Sequence, residues 1–205
     1  MSNDNTFYDR GAEAVISLHD GMIKKERIRK LYRIEQLDDR IRRERTRAEV
    51  KITAAARQLG IPTPIIYDID DFTIIMQFID GVPLREIITP QLSCRVGELI
   101  GRLHSGGIAH GDLTTSNMLL LLSSSSAQNQ DVGKIYLIDF GLSYFSNEIE
   151  SFGVDVHVLF QTYISTHADA SILIEHFSTG YKRTFSDANA VLKRVSEIEK
   201  RGRYT

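Results

Sequence analysis

Short apolar runs separated by turns dominate the first part of the chain, and a long amphipathic stretch follows them. Strands are predicted at 7–9, 15–18 and 22–25, and the Asp20-Gly21 pair between the last two is typical of a two-residue hairpin turn. From Leu37 the apolar positions take helical spacing, on a face formed by Ile41, Ala48, Ile52, Ala55 and Leu59. The stretch Gly60-Ile61-Pro62 then predicts the end of this helix.

The pattern changes after a second predicted strand pair. Strands are predicted at 65–68 and 72–78 around Asp70-Asp71, and residues 80–83 break the pattern. Helices are predicted around 96–103 and at 154–163, 172–181 and 188–200, with two short strands at 117–122 and 135–138. The serine-rich stretch 123–130 predicts a surface loop. These elements predict an α+β protein with an N-terminal unit at 1–79 and a C-terminal unit at 80–205.

Charge is unevenly distributed along the 205 residues. The chain carries a net charge of −2, but residues 24–57 hold 13 Lys or Arg against six Asp or Glu, which leaves −9 for the remainder. This asymmetry suggests an anionic partner such as nucleic acid. A solvated helix laced with ion pairs is an equal alternative.

Other features of the composition suggest a cytoplasmic protein without a membrane segment. No apolar run approaches the roughly 20 residues that span a bilayer, and the N-terminus lacks the basic and apolar regions of a signal peptide. The single cysteine, Cys94, excludes an internal disulfide and fits a reducing compartment.

Two acidic motifs carry the candidate chemistry. The first is His110-Gly111-Asp112-Leu113-Thr114-Thr115-Ser116-Asn117, and the second is Ile138-Asp139-Phe140-Gly141. Asp112 is predicted to accept or orient a hydroxyl proton, while Asn117 and Asp139 are predicted to hold Mg²⁺. This order and spacing are typical of ATP-dependent phosphoryl transfer, in which metal ligands and base converge on one phosphate.

The remaining parts of an ATP site are assigned from their order along the chain. The turn Gly11-Ala12-Glu13-Ala14 is predicted to cover the phosphates. Lys25 is favoured as the phosphate-binding cation, with Lys24 as the alternative on the opposite strand face. Glu49 is the candidate partner of that lysine, and Gln77, Phe78 and Ile79 are predicted to line the adenine pocket after Met76. His110 is interpreted as a structural residue of its loop.

These motifs resemble the small atypical kinases of the PRPK group, the kinase subunit of the KEOPS (EKC) complex in tRNA threonylcarbamoyladenosine modification. The resemblance rests on the two acidic motifs, on Lys25-Glu26-Arg27 with Lys30-Leu31-Tyr32-Arg33, and on Arg45-Thr46-Arg47-Ala48-Glu49. Further matches are Gly153-Val154-Asp155-Val156, Ser165-Thr166-His167 and Arg201-Gly202-Arg203. The resemblance supports Lys25 over Lys24.

The resemblance implies a reduced two-lobed protein-kinase-like fold, with a small β-rich N-lobe that holds one long helix and a mainly helical C-lobe. It implies ATP and Mg²⁺ as cofactors, a tRNA-modifying catalytic subunit and other KEOPS-type subunits as partners, and tRNA as a ligand. Lys30, Arg33, Arg201 and Arg203 are the predicted tRNA or partner contacts. Asp155 lies only 16 positions after Asp139, and no Ala-Pro-Glu sequence follows, so a full activation segment does not fit.

Three functions follow from the sequence. The first is a Mg-ATP-dependent serine/threonine kinase that autophosphorylates, acts as an ATPase, or both, in support of tRNA modification. The second is a small-molecule phosphotransferase of the aminoglycoside or choline type, which also uses a His-Gly-Asp loop. The third is a non-catalytic, nucleotide-sensing subunit that binds tRNA.

Overall fold

A five-stranded antiparallel sheet opens the chain. In the computed structural model, which describes residues 6–10, 13–122 and 133–202, strands β1 to β5 span Thr6–Arg10, Ala14–His19, Met22–Arg27, Ile66–Ile69 and Thr73–Gln77. Their spatial order is β1-β2-β3-β5-β4. The central strand β3 pairs with β2 on one side and β5 on the other. The backbone of β3 is therefore paired with a neighbouring strand along both of its edges.

The predicted hairpin between β2 and β3 is confirmed. Asp20 and Gly21 both lie in the left-handed region, with φ of 48° and 73°, as a two-residue type I′ turn requires. Helix α1 spans Glu35–Gln58 and begins two residues before the predicted start at Leu37. Glu35 and Asp38 lie in its first turn, where acidic side chains interact favourably with the helix dipole.

The C-terminal part is mainly helical. Its first elements are β6 at Val82–Pro83, α2 at Leu84–Ile87, α3 at Pro90–Ser105, β7 at Ile108–Ala109, a 3-10 turn at Thr115–Asn117, β8 at Met118–Leu121, β9 at Lys134–Leu137 and β10 at Tyr144–Phe145. Three helices close the chain, α4 at Ile149–Thr166, α5 at Ala170–Thr184 and α6 at Ala188–Gly202. Helix α4 begins earlier than predicted because packing against α6 overrides the weak helix preference of Gly153.

We propose that the boundary between the N-terminal and C-terminal units lies after residue 79. Immediately beyond it, Val82 and Pro83 pair with Leu120 and Leu119 of β8, so the chain has already joined the C-terminal sheet. The predicted surface loop at 123–130 falls outside the described residues, as do Gly11, Ala12 and Arg203. Within the ranges that are described, none of the helices combines the length and apolar character needed to cross a bilayer.

Helix α3 is the centre of the hydrophobic core. Thr89 caps its N-terminus by accepting a hydrogen bond from Leu92, and Pro90 occupies the first turn. Val96, Ile100 and Leu103 on its inner face have no measurable exposure. Helix α5 crosses so closely that a Cβ added to Gly97 would lie 2.1 Å from the Phe177 carbonyl oxygen. The crossing therefore requires glycine at this position.

We predict that Gly97→Ala lowers the free energy of unfolding by about 1–3 kcal/mol, because the added methyl group forces the two helix backbones apart. Urea denaturation of the variant and of the native chain gives this difference. Thr179→Ala, at an exposed position of α5, is the matched control and should change stability much less. An unchanged midpoint for Gly97→Ala would contradict the close crossing.

Candidate active site

The hairpin formed by β8 and β9 brings the two acidic motifs together. Met118 pairs with Leu137, so the residue before β8 and the residues after β9 lie at the same end of the hairpin. The backbone N–H of Ile138 accordingly donates to the carbonyl oxygen of Asn117 at 3.0 Å. Asn117 and Asp139, 22 positions apart in sequence, thus become neighbours.

Lys25 lies between two carboxylates. Its Nζ is 2.6 Å from Glu49 Oε1 and 2.7 Å from Asp139 Oδ1. Lys24 instead forms an ion pair with Glu26 on the half-exposed face of β3, as strand alternation requires. The structure therefore brings Lys25 and Glu49 together with the second acidic motif and leaves Lys24 outside this group.

Both charges of the Lys25–Asp139 pair are stabilised by their surroundings. Burial disfavours the ammonium form of Lys25, but the carboxylates of Glu49 and Asp139 outweigh this effect and raise the pKa of Lys25. Burial also disfavours the ionised form of Asp139, yet Lys25 and the backbone N–H of Gly141 hold the pKa of Asp139 below its ordinary value. Asp139 has a φ of 59°, an uncommon backbone conformation that is found at functional sites.

Asn117 and Asp139 have the chemistry of a magnesium site. The Asn117 side-chain N–H₂ donates to the backbone oxygen of Asp112 and to its Oδ2, each at 2.9 Å, which leaves the amide oxygen as an acceptor. A carboxylate and an amide oxygen are ligands that Mg²⁺ accepts when phosphates and water complete its shell. Among the described residues, no group of three His, Cys, Asp or Glu side chains forms a separate metal centre. The residues present therefore fit a metal ion that arrives with a nucleotide.

Two cavities meet at Lys25 and Asp139. The larger one, about 590 Å³, is also lined by Met76, Gln77, Phe78 and Ile79, and its volume falls in the usual range for small-molecule sites. The smaller one, about 260 Å³, is lined by Glu13, Ala14, Arg27, Arg45, Asp112 and Gly141. The predicted adenine-pocket residues thus line one cavity, and Asp112 lines the other.

Asp155 anchors the loop that carries Asp112, a role that the sequence analysis did not assign. Its carboxylate accepts from the backbone N–H of His110 at 2.5 Å and from that of Gly111 at 2.8 Å. The loop is also held by Ser143, whose hydroxyl donates to the His110 carbonyl oxygen at 2.7 Å. An aspartate on the buried, otherwise apolar face of α4 is the signal in the sequence that could have identified it.

Two buried histidines are part of this support. His104 Nδ1 lies 2.7 Å from the Tyr181 hydroxyl, and its Nε2 lies 3.3 Å from Asp155 Oδ2. His110 Nε2 lies 3.2 Å from the Ile138 carbonyl oxygen, so this nitrogen carries the proton. Burial lowers the pKa of both histidines and keeps them neutral. These contacts fit the structural role predicted for His110.

Of the predicted tRNA or partner contacts, the three that the structure describes, Lys30, Arg33 and Arg201, line neither cavity. Arg33 lies 3.6 Å from Asp38, and the backbone N–H of Lys30 donates to the same carboxylate at 3.2 Å. Arg201 is exposed near the end of α6. Many cations of residues 24–57 form ion pairs; examples are Arg40 with Glu44 and Arg43 with Asp71. This pattern favours the ion-paired alternative for much of the basic segment.

The fold is that of a protein-kinase-like phosphotransferase. The Rio2 kinase from Chaetomium thermophilum, solved as an ADP/Mg²⁺-phosphoaspartate complex, superposes with a TM-score of 0.64 at 17% identity, over 99% of this chain and 73% of that one. The model of the lipopolysaccharide kinase (Kdo/WaaP) family matches residues 65–144. These two similarities support the assignment of the fold.

Closer relatives define the family. A probable serine/threonine-protein kinase Bud32 homologue of Archaeoglobus fulgidus is 40% identical over 95% of this chain and 94% of its own length. The chain therefore belongs to the Bud32 family of kinase homologues, which agrees with the resemblance to PRPK-group kinases. A probable bifunctional tRNA threonylcarbamoyladenosine biosynthesis protein of Methanosarcina acetivorans is 55% identical over 96% of this chain. The chain spans 35% of the length of that protein.

We predict that stability decreases as the pH falls below about 6.5, the ordinary pKa of histidine. The unfolded chain binds protons there that buried His104 and His110 do not, so each contributes a loss of up to about 1.4 kcal/mol per pH unit. Urea denaturation from about pH 7.5 to about pH 5 measures the slope. His104→Gln should make the slope shallower, whereas His19→Gln at an exposed position should not. An equal slope in all three chains would contradict this assignment.

Proposed function

We propose that this chain is a Mg-ATP-dependent phosphotransferase that phosphorylates serine or threonine hydroxyls, hydrolyses ATP, or does both. One observation carries the proposal: Lys25 bridges Glu49 and Asp139 where the Asp112 cavity meets the cavity lined by residues 76–79. Cation, metal ligands and base are the parts that phosphoryl transfer requires.

Each group has a distinct role in this proposal. Gln77, Phe78 and Ile79 bind the adenine, and Lys25 holds the phosphates while Glu49 fixes Lys25. When bound, Mg²⁺ would supply positive charge that offsets the charge developing on the phosphates. Asn117 and Asp139 hold that ion, and Gly11 to Ala14 cover the phosphates. Asp112 orients the attacking hydroxyl or water, and Asn117 fixes the Asp112 carboxylate through its amide N–H.

The names of the relatives support a role in tRNA threonylcarbamoyladenosine biosynthesis. The proteins at 48–55% identity that carry this name are bifunctional, and this chain matches about a third of their length. We therefore propose that it works in the cytoplasm with a tRNA-modifying catalytic subunit and other KEOPS-type subunits. Arg201 and Arg203 are the favoured tRNA contacts, because the Arg33 guanidinium already lies 3.6 Å from the Asp38 carboxylate.

A small-molecule phosphotransferase is the second candidate, because the Kdo/WaaP family model matches residues 65–144. The cavity beside Asp112 measures about 260 Å³, close to the lower limit of usual ligand pockets, about 300 Å³. A water takes about 30 Å³ of liquid volume, so a cavity of about 260 Å³ admits a small-molecule acceptor as well as a water. Rapid transfer to free sugars or amino alcohols, with no phosphoprotein and no phosphate release, would favour the second candidate.

We predict that Asp112→Asn and Asp139→Asn each lower ATP turnover by at least about 100-fold, because they remove the base and a metal-ligand charge. Phosphate release and incorporation of labelled phosphate into the chain measure the two outcomes separately. Asp68→Asn, on the exposed edge strand β4, is the matched control. Unchanged turnover in both active-site variants would remove the basis of the proposal.

We also predict that tRNA together with the partner subunit stimulates phosphate release without stoichiometric phosphoprotein. Arg201→Glu should weaken this stimulation and leave basal turnover unchanged, because the residue lies at the end of α6, outside both cavities. Stimulation should also decrease with salt if phosphate contacts contribute to binding. Stimulation that is insensitive to both Arg201→Glu and salt would argue against tRNA contact at this end.

A further inference from the structure

Arg27 occupies the centre of the site without a role in the scheme above. Its Nη2 lies 2.5 Å from Glu49 Oε2, and both side chains are about 95% buried. Arg27 is two residues after Lys25 on β3, so strand alternation places both side chains on the same face. Glu49 consequently has a different cation on each carboxylate oxygen, with Lys25 on Oε1.

The metal-binding motif packs directly on this ion pair. A Cβ added to Gly141 would lie 3.4 Å from Arg27 Nη2 and 3.4 Å from Glu49 Oε2. Arg27 Nε is buried and has no hydrogen-bond partner among the residues that the structure describes. Arg27 also lines the cavity that contains Asp112. The guanidinium therefore contacts Glu49 and borders the turn after Asp139. The Arg27 side chain also shares a cavity with Asp112, the residue proposed to orient the attacking hydroxyl.

Charge compensation explains why a second cation is needed. A carboxylate as buried as Glu49 is strongly destabilising when its counter-charge is removed. The phosphates of a nucleotide would compete with Glu49 for Lys25, which is the only other cation that contacts this carboxylate among the described residues. With Arg27 in place, Glu49 stays ionised and oriented while Lys25 engages the phosphates.

We propose that Arg27 is a positioning residue for phosphoryl transfer, which acts by holding Glu49 in the orientation that aligns Lys25. This inference rests on the proposed function of the site. In protein kinases the pairing of lysine and glutamate is a controlled step. Here Arg27 holds Glu49 at the site through an ion pair within the fold, and only 15 residues lie between Asp139 and Asp155. The pair is thus assembled without a phosphorylated activation segment.

The test is a double-mutant cycle with Arg27→Met and Glu49→Gln. If Arg27 acts through Glu49, each single variant lowers kcat by about 100-fold, as expected for misalignment of a catalytic group, and the double variant is no slower than Glu49→Gln. The KM for ATP should change much less than kcat. Losses that multiply would mean that Arg27 acts on the substrate independently, and they would overturn the positioning role.

Measurements without nucleotide provide a second readout. The Tm of the apo protein should fall in both single variants. The Tm of the double variant should be no lower than that of the less stable single variant, because the two side chains share one interaction. Arg27→Lys keeps a cation and should recover part of kcat, which keeps the test valid if Arg27→Met does not fold. No recovery with a folded Arg27→Lys, or additive Tm losses, would contradict the proposal.

Arg43→Met is the matched control. Arg43 lies on α1 and forms a comparable ion pair with Asp71 at 2.9 Å, but both side chains are about 40% exposed and outside the two cavities. It should retain native turnover. Native turnover in Arg27→Met, combined with loss in Asp139→Asn, would overturn the Arg27 inference alone. Native turnover in Asp139→Asn would instead overturn the proposed function.

Discussion

The buried carboxylate of Glu49 is the constraint on which the rest of the site depends. A charge in this position is tolerated only when cations compensate it, and Lys25 and Arg27 occupy its two oxygens at 2.6 and 2.5 Å. Those cations come from the central strand of the sheet, whereas Glu49 comes from α1. Charge compensation therefore fixes the long helix against the sheet, and through Lys25 it connects both to Asp139 of the C-terminal part.

A second buried carboxylate, that of Asp155, supports the loop that carries Asp112. Asp155 binds two successive backbone N–H groups of the Asp112 loop and contacts His104. The first acidic motif is thus supported by groups to which the proposed function gives no part in the chemistry. Because an unpaired polar group in such a position would be costly, the loop geometry and the packing of α4 depend on each other.

The basic character of α1 has a mainly structural explanation. Arg42 pairs with Asp38 and Asp39, and its guanidinium lies 3.8 Å from the Phe72 ring centroid. Arg45 pairs with Glu13, a residue of the predicted phosphate-covering turn. A net charge of +7 in residues 24–57 therefore does not by itself predict a nucleic-acid surface. The exposed end of α6 is the better candidate for such a surface.

The sequence by itself determined the order of the longer strands and helices, the Asp20-Gly21 hairpin and the types of residues available for phosphoryl transfer, because these depend on local spacing and side-chain chemistry. It also identified Glu49 as the candidate partner of Lys25. Only the tertiary structure decided that Asp155 supports the Asp112 loop and that Arg27 shares Glu49 with Lys25. It also decided which basic side chains form ion pairs within the fold. These outcomes depend on contacts between residues far apart in the chain, and local patterns do not specify which buried charges meet.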